Sequence, residues 1–471
     1  MYDIQTVTQI FFPNEGFIKV DSPVLSGLTC ESSLNGQACE GKLHKDGVLA
    51  QKFSFPVSDD IHETRRRLMI SVFLACKAYT GLKTPWGALA GIRPSKMARL
   101  LLSQGLNSQE IVERYKSGYC ASEEKIRLAL DVALAEEKIL KLQSSNGFSL
   151  YIGIPFCPSR CLYCSFTSYP IGANAGRVDA YLDALEKELD AVKSLSKGRR
   201  LDSLYIGGGT PTSLDEEQLE RLLEGVSSRF DLRAAKEYSV EAGRPDTLTP
   251  AKLEILKRHG VGRISINPQT MNEKTLEIIG RGHTAQHMKA AFAMARDAGF
   301  CNINADLILG LPGEALVDVA KTFERIKELK PESITVHTLA VKRASKLRET
   351  LEEHKLASAE ALEEMLAVAQ TASREMGMSA YYMYRQKNML GNFENVGYCL
   401  PGRESLYNVF IMEETQTVWA AGAGAVTKLV EKPGLIERAF NVKSLDDYIN
   451  RIDEMIKRKE DKFYAQASPK T

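Results

Sequence analysis

From about Gly147 onward, short apolar runs alternate with amphipathic stretches of helical period, the pattern expected of repeated βα units around a parallel sheet. Six runs predict strands: "FSLYIGIP" ending near Pro155, "LDSLYIGG" near Gly208, "EYSVEA" near Ala242, "GRISINP" near Pro268, "NINADLILG" near Gly310 and "SITVHTLA" near Ala340. Between them, stretches such as "RVDAYLDALEKELDAVKSL", "DEEQLERLLEGVSSRF" and "DVAKTFERIKELK" read as helices. Asp215 suits an N-cap, and Thr249 followed by Pro250 marks another helix start. Six units fall short of a complete eight-stranded barrel, which leaves an open partial barrel or a doubly wound sheet. Both gather their site at the carboxyl ends of the strands. The unusual residues cluster there: a cysteine-rich loop after strand one, then "GGGTP", "EAGRPD", "NPQT", "DLILGLPGE" and "HTLAVKR" after the following strands.

The flanks read differently. Residues 1–145 carry strand-like segments to about Phe55 and then helices, and are expected to form a separate α+β domain without assigned chemistry; "TPWGALAGIRPSK" reads as a turn segment. Residues 146–345 form the βα core, and residues 346–471 a third unit that covers the open side of the sheet, with Lys457 to Thr471 fraying. Sixty-one basic against 60 acidic residues leave a net charge of +1, so no global field gathers nucleic acid or anionic lipid. No window approaches eighteen uninterrupted apolar residues, so neither stable membrane insertion nor a nucleic-acid partner is expected and the chain reads as cytoplasmic. Nine cysteines, an odd number, do not resemble a disulfide framework and suit a reducing compartment.

Cys157, Cys161 and Cys164 form a C-x3-C-x2-C loop. Thiolates are the normal ligands of iron–sulfur clusters. A zinc site would call for four protein ligands, usually two separated pairs, and no second pair exists; Cys301 is distant. Three ligands on a 4Fe-4S cube leave one iron with an open position, as a catalytic metal keeps a place for substrate.

The loop "CPSRCLYC" resembles the cluster loop of radical S-adenosylmethionine (SAM) enzymes. The wider set "YIGIPFC", "GGGTP", "VEAGRPD", "NPQT", "GRGH" and "DLILGLPGE" is similar to the oxygen-independent coproporphyrinogen III oxidase group over roughly residues 147 to 430. "GALAGIRPSK", "HTLAVKRASKL" and "YRQKNMLGNFENVGY" resemble its HemZ-type branch. The resemblance implies an α/β fold, an open partial (β/α)6 radical-SAM barrel with an N-terminal α+β domain and a C-terminal α+β extension. It implies a 4Fe-4S cluster on the three cysteines and SAM chelating the fourth iron, whose reductive cleavage yields a 5'-deoxyadenosyl radical.

SAM presents an amino group, a carboxylate, a ribose diol and an adenine. Gly208, Gly209 and Thr210 would let backbone approach the amine, since glycine has no Cβ to obstruct it. By the resemblance, Glu241 faces the polar edge of the cofactor, Gln269 and Asp306 bond the ribose hydroxyls, and Arg281 holds the carboxylate. Tyr163 lies at the adenine and Tyr151 near the cofactor, with a core aromatic role the alternative for both tyrosines.

The implied substrate, coproporphyrinogen III, is an uncharged macrocycle with four propionates, so its site needs cations around an apolar cleft. Lys342, Arg343, Lys346 and Arg348 after strand six, with Arg385 and Lys387 in "YRQK", are suitable by type and location, and Gln386 and the "GAGAV" run at residues 422 to 426 resemble family segments near the substrate and a possible second SAM. No catalytic side chain is expected beyond the cluster and SAM, because such chemistry is carried by the cofactor. The electron would come from a low-potential donor such as flavodoxin or ferredoxin. The match departs from the oxidases at Phe166, where they carry a further cysteine, at Gly153 in place of a histidine, and at "NPQ" in place of "GVQ" at residues 267 to 269. The C-x-F form also occurs in the related haem-chaperone branch, so haem delivery is the second reading, with Cys399 or one of the seven histidines as an axial ligand, and another radical SAM reaction on a tetrapyrrole or an RNA base is the third, RNA being disfavoured by the neutral charge.

Overall fold

Two of the six apolar runs end in proline, which has no N–H for a ladder, and two in a glycine with positive φ, Gly208 and Gly310, and these strands stop at or before them. The computed structural model describes residues 2–12, 15–20, 24–89, 91, 93–386, 393–432 and 434–467. Six parallel strands run in chain order side by side: β1 (Gly147–Ile154), β2 (Arg200–Gly208), β3 (Glu237–Glu241), β4 (Arg263–Ser265), β5 (Ile303–Leu309) and β6 (Ser333–Thr338). β4 is shorter than "GRISINP" suggests. Pro268 has no N–H to give a ladder, and Gln269 then turns into the left-handed region at φ 65° before pairing with Leu307 as a single bridge.

Helices pack on the outside of these strands, as βα crossovers require. The helix Val178–Leu195 buries Tyr181, Leu182, Leu185, Leu189 and Val192. Asp215 caps Glu216–Ser227 in a reciprocal box with Gln218, and Thr249 caps Pro250–Arg258 by accepting from the Lys252 N–H at 3.1 Å.

The sheet does not end at residue 345. It continues through β7 (Ser379–Tyr384), β8 (Asn395–Cys399), β9 (Thr417–Ala421), β10 (Val426–Lys432) and β11 (Leu435–Phe440), in the order β7-β8-β6-β5-β4-β3-β2-β1-β9-β10-β11. β9 lies parallel to β1, with Trp419 opposite Leu150 and Ala421 opposite Ile152. The chain separates into two compact units, residues 1–134 with 383–394, and residues 135–382 with 395–471. The expected division at 345/346 is therefore replaced by one continuous sheet, because β8 and β9 pair directly with β6 and β1. The expected fraying from Lys457 is corrected as well: the helix Ile452–Ala467 is docked by Lys459, which is fully buried against Glu188 and bonds Asn441 at 2.7 Å. Residues 468–471 lie outside the described residues.

The smaller unit is α+β. Its antiparallel strands Leu28–Asn35, Ala38–Lys45 and Val48–Pro56 carry the helix Ile61–Thr80 so closely that a Cβ at Gly41 would lie 2.3 Å from the Ser71 backbone. Val7, Phe11, Leu43, Val72 and Phe73 form its core. Among the described residues, no helix is long and apolar enough to cross a membrane.

Candidate functional site: a cysteine loop and a polar rim at the carboxyl ends of the strands

The cysteine loop leaves β1 at Pro155 and is closed by a two-residue pairing of Phe156–Cys157 with Tyr169–Pro170. Cys161 is buried, Cys157 and Cys164 are partly so, and the Cys164 N–H turns back to the Cys161 carbonyl at 3.1 Å. The glycine segment after β2 is stitched beneath it: Gly209 N–H to Ile154 O at 2.8 Å and Thr210 N–H to Phe156 O at 2.7 Å. A Cβ on Gly209 would stand 2.6 Å from the Phe156 carbonyl oxygen and 3.0 Å from Cys157 Sγ, so glycine is required by close approach. Burial pushes the Cys157 thiol up to about 11, with Cys164 and Cys161 adding to the effect, and burial raises Cys164 too. Bound iron reverses that balance, since a coordinating thiol is deprotonated. Among the described residues no three His, Cys, Asp or Glu side chains close on one point as ligands of a single ion would. The donor set itself, three thiols on one loop, is of the kind that would hold an iron–sulfur cluster.

The next strand ends supply the rim. Gln269 is 8% exposed, and its Oε1 is buried with no hydrogen-bond partner. Its backbone is held on both sides, N–H to Asp306 O and O from the Ile308 N–H, each at 2.9 Å. Arg281 donates from Nη1 to the Asn267 carbonyl at 2.6 Å and from Nη2 to the Tyr163 hydroxyl at 3.1 Å, while its Nε has no partner. These orphaned buried groups fit a ligand that carries hydroxyls and a carboxylate.

Glu241 ends β3 and Asp306 lies within β5, close enough to interact electrostatically. Glu241 accepts from the Tyr205 hydroxyl at 2.5 Å and from the Gly208 N–H at 3.2 Å. Burial pushes it up to about 7; Asp306 pushes the same way, against the pull of Tyr205, Gly208 and His337. A cationic amine beside it would return it to the carboxylate. Burial works against ionisation of Asp306 too, but contacts from His337, Asn304 and Thr335 win and hold its carboxyl below the usual range, with Asn304 Nδ2 at 2.7 Å. Tyr151 stacks on Tyr205 at 6.3 Å between ring centres, and Tyr205 on Tyr407 at 4.6 Å. Tyr151 is thus both core aromatic and wall: its hydroxyl lies 3.2 Å from where a Gly208 Cβ would be.

Several of these groups escaped the sequence reading. Tyr407 arrives on the helix Leu406–Glu413, tied by Ser405 Oγ to Glu237 at 2.9 Å, and nothing local in "SLYN" announces that. Tyr205 had a signal, since inward positions on β2 alternate as Ser203, Tyr205, Gly207. Glu314 of "LPGE" is buried, is pushed up to about 7 by that burial, and accepts from Thr270 beside Gln269.

The proposed substrate cations divide. Lys342 is half-buried, which lowers its ammonium pKa, and Arg343, Lys346 and Arg348 are exposed on the segment after β6. That segment is bonded to the cysteine loop: Arg160 Nη2 donates to Ala344 O at 2.5 Å, and the Leu347 N–H to Leu162 O at 2.9 Å. Arg385 and Gln386 belong to the smaller unit instead. Arg385 is 4% exposed, donates to the Leu89 carbonyl and lies over the Trp86 ring at 5.7 Å, so its guanidinium is committed inside that unit and not offered to a propionate. Lys387 lies outside the described residues. Cys399 is buried in β8 and burial pushes its thiol up to about 12, which argues against it as a haem ligand.

Comparison with known proteins places this geometry. Residues 151–326 match the radical SAM superfamily. Over 398 residues the chain is 41% identical to the oxygen-independent coproporphyrinogen-III oxidase-like protein HemZ of Bacillus subtilis, covering 82% of this chain and 79% of the relative. The chain belongs to this oxidase-like family of radical SAM proteins. Membership implies a 4Fe-4S cluster and SAM as its cofactors. The heme chaperone HemW of Bacillus subtilis is also 41% identical, over 194 residues that span 41% of this chain and 50% of HemW. Among solved structures, the radical SAM coproporphyrinogen III oxidase HemN of Escherichia coli superposes with a TM-score of 0.54 at 24% identity, covering 69% of this chain and 73% of that one, which supports the α/β partial-barrel fold.

Proposed function

We propose that the protein is a coproporphyrinogen III dehydrogenase, oxidatively decarboxylating the ring A and ring B propionates to vinyl groups to give protoporphyrinogen IX. The observation that supports this reading is the bonding of segment 342–348 to the cysteine loop, Arg160 Nη2 to Ala344 O and Leu347 N–H to Leu162 O, since that segment carries Lys342, Arg343, Lys346 and Arg348 as candidate partners for a multiply carboxylated substrate. When bound, the cluster and SAM supply the radical that removes a hydrogen from the propionate β-carbon. Cys157, Cys161 and Cys164 hold the cluster. Gly208, Gly209 and Thr210 bring backbone to the amine of SAM with Glu241 as its counter-charge; Gln269 and Asp306 take the ribose, Arg281 the carboxylate, and Tyr163 and Tyr151 wall the cofactor. The basic segment orients the carboxylates. A low-potential flavodoxin or ferredoxin in the cytoplasm would deliver the electron.

Haem delivery is the second reading, favoured by Phe166, which is 70% exposed where an oxidase-type loop would carry another cysteine. Anaerobic incubation of the reconstituted protein with dithionite, SAM and coproporphyrinogen III, followed by product mass, separates the two. Loss of two carboxyl groups with release of 5'-deoxyadenosine is expected. Stoichiometric haem binding without decarboxylation would assign the chaperone role.

A further inference from the structure

The motif "EAGRPD" contributes more than Glu241. Arg244 is 4% exposed, and its Nε and Nη2 fork onto the two carboxylate oxygens of Asp246 at 2.9 and 2.6 Å. Its Nη1 donates to Ser159 Oγ at 2.8 Å and to the Ser159 carbonyl at 3.4 Å. Ser159 lies between Cys157 and Cys161. The turn that carries the pair is fixed in turn: Thr247 Oγ1 donates to Arg244 O and meets the Thr212 hydroxyl, both at 2.7 Å, and the Asn267 N–H donates to Gly243 O at 3.0 Å. A buried cation from the end of β3 is thus bolted to the loop that holds the cysteines, within electrostatic reach of Cys157.

The other charges around the loop are countable. Arg281 lies beside Cys161 and Tyr163, and Arg160 bonds the Cys164 and Ala344 carbonyls. His283 is buried next to Arg281, Arg244 and Asp246 with neither ring nitrogen partnered, and burial reinforced by the arginines lowers it to about 4, so it is neutral at pH 7. Asp246 is the carboxylate that offsets Arg244.

We propose that Arg244 is a positioning residue for the cysteine loop whose positive charge, offset by Asp246, sets the reduction potential of the cluster bound there. One-electron reduction adds negative charge to the cluster; a fixed cation nearby favours it and a fixed anion opposes it. The inference rests on the cluster and not on the tetrapyrrole reading, so a wild-type protein that fails to decarboxylate coproporphyrinogen leaves it untouched.

The test is an anaerobic redox titration of the reconstituted full chain, followed by electron paramagnetic resonance, with iron content measured on each sample. Arg244→Gln is expected to lower the midpoint potential, Asp246→Asn to raise it, and the double variant to return toward wild type. Arg244→Lys keeps the charge without the fork, so its potential stays near wild type while iron retention falls. If Arg244→Gln holds too little cluster to titrate, that loss supports the positioning role, and Asp246→Asn decides the electrostatic one. Wild-type potentials in both single variants at full iron content, or shifts of the same sign in both, would overturn the proposal.

Discussion

Two buried arginines stand at opposite ends of the same barrel, and their surroundings differ in kind. Near the amino ends, Arg263 is 4% exposed and donates to Asn302, Asn304, Ser333 and the Arg403 carbonyl at 2.7 to 3.4 Å. Asn304 is in turn bonded by Ser333 and Thr335. At the carboxyl ends, Arg281 has two hydrogen bonds, an unpartnered Nε, and two neighbours in the same condition, Gln269 Oε1 and both nitrogens of His283. Both regions bury polar groups, yet the protein completes the first and leaves the second incomplete. Unpartnered buried atoms also occur near the amino ends, at Tyr238 Oη and Gln416 Oε1, but outside the Arg263 network; such atoms are costly to bury, so a ligand that paired the group around Arg281 would be favoured there.

Breaking that comparison starts at the cysteines. Cys161→Ala is expected to abolish both the brown chromophore and SAM cleavage, read by iron analysis and 5'-deoxyadenosine release; full cleavage in this variant would remove the basis of the reading. Arg263→Ala should instead damage the fold. It strands several buried acceptors, at a cost on the order of 3 kcal/mol or more, seen as a lower Tm before any effect on SAM is considered. Arg281→Ala should lower Tm less, since it strands only the Asn267 carbonyl and the Tyr163 hydroxyl, and should weaken SAM affinity roughly 10- to 100-fold, the worth of a charged hydrogen bond. Gln269→Gly sharpens the contrast further: it relieves the left-handed φ while removing the side chain, so SAM affinity falls by up to about tenfold without loss of stability.

The smallest effect is a pH dependence. Glu241 in the SAM-free protein is raised to about 7, so below that pH binding a cationic amine must first displace a proton. SAM affinity is therefore expected to rise by roughly five- to tenfold between pH 6 and 7.5, and Glu241→Gln to flatten the profile. An unchanged slope in that variant would place the titrating group elsewhere.

What could be read from the residues follows from range of interaction. β1, β2, β3, β5 and β6 and their caps were legible because alternation, Gly, Pro and Asp signals act within a few residues. β9 was not, since "TVWAA" takes its place beside β1 only through pairing with residues about 270 positions earlier. The cysteine loop stood out by its spacing, and its role as a cluster site was implied by the resemblance. Arg385 was misjudged because charge type says nothing about burial, and Trp86 and Leu89, which hold it, lie some 300 residues away. Arg263 was hidden for the same reason: inside "GRISINP" it reads as an interruption of an apolar strand, whereas the fold surrounds it with acceptors from β5, β6 and the segment at Arg403.

The most direct test of the incomplete rim is SAM binding by the reconstituted protein, measured anaerobically for wild type, Arg281→Ala and Arg263→Ala and corrected for folded, iron-loaded protein. The expected result is a loss confined to Arg281→Ala, with Arg263→Ala binding like wild type per folded molecule. Equal affinity in wild type and Arg281→Ala would contradict the claim that the carboxyl-end rim is completed by SAM.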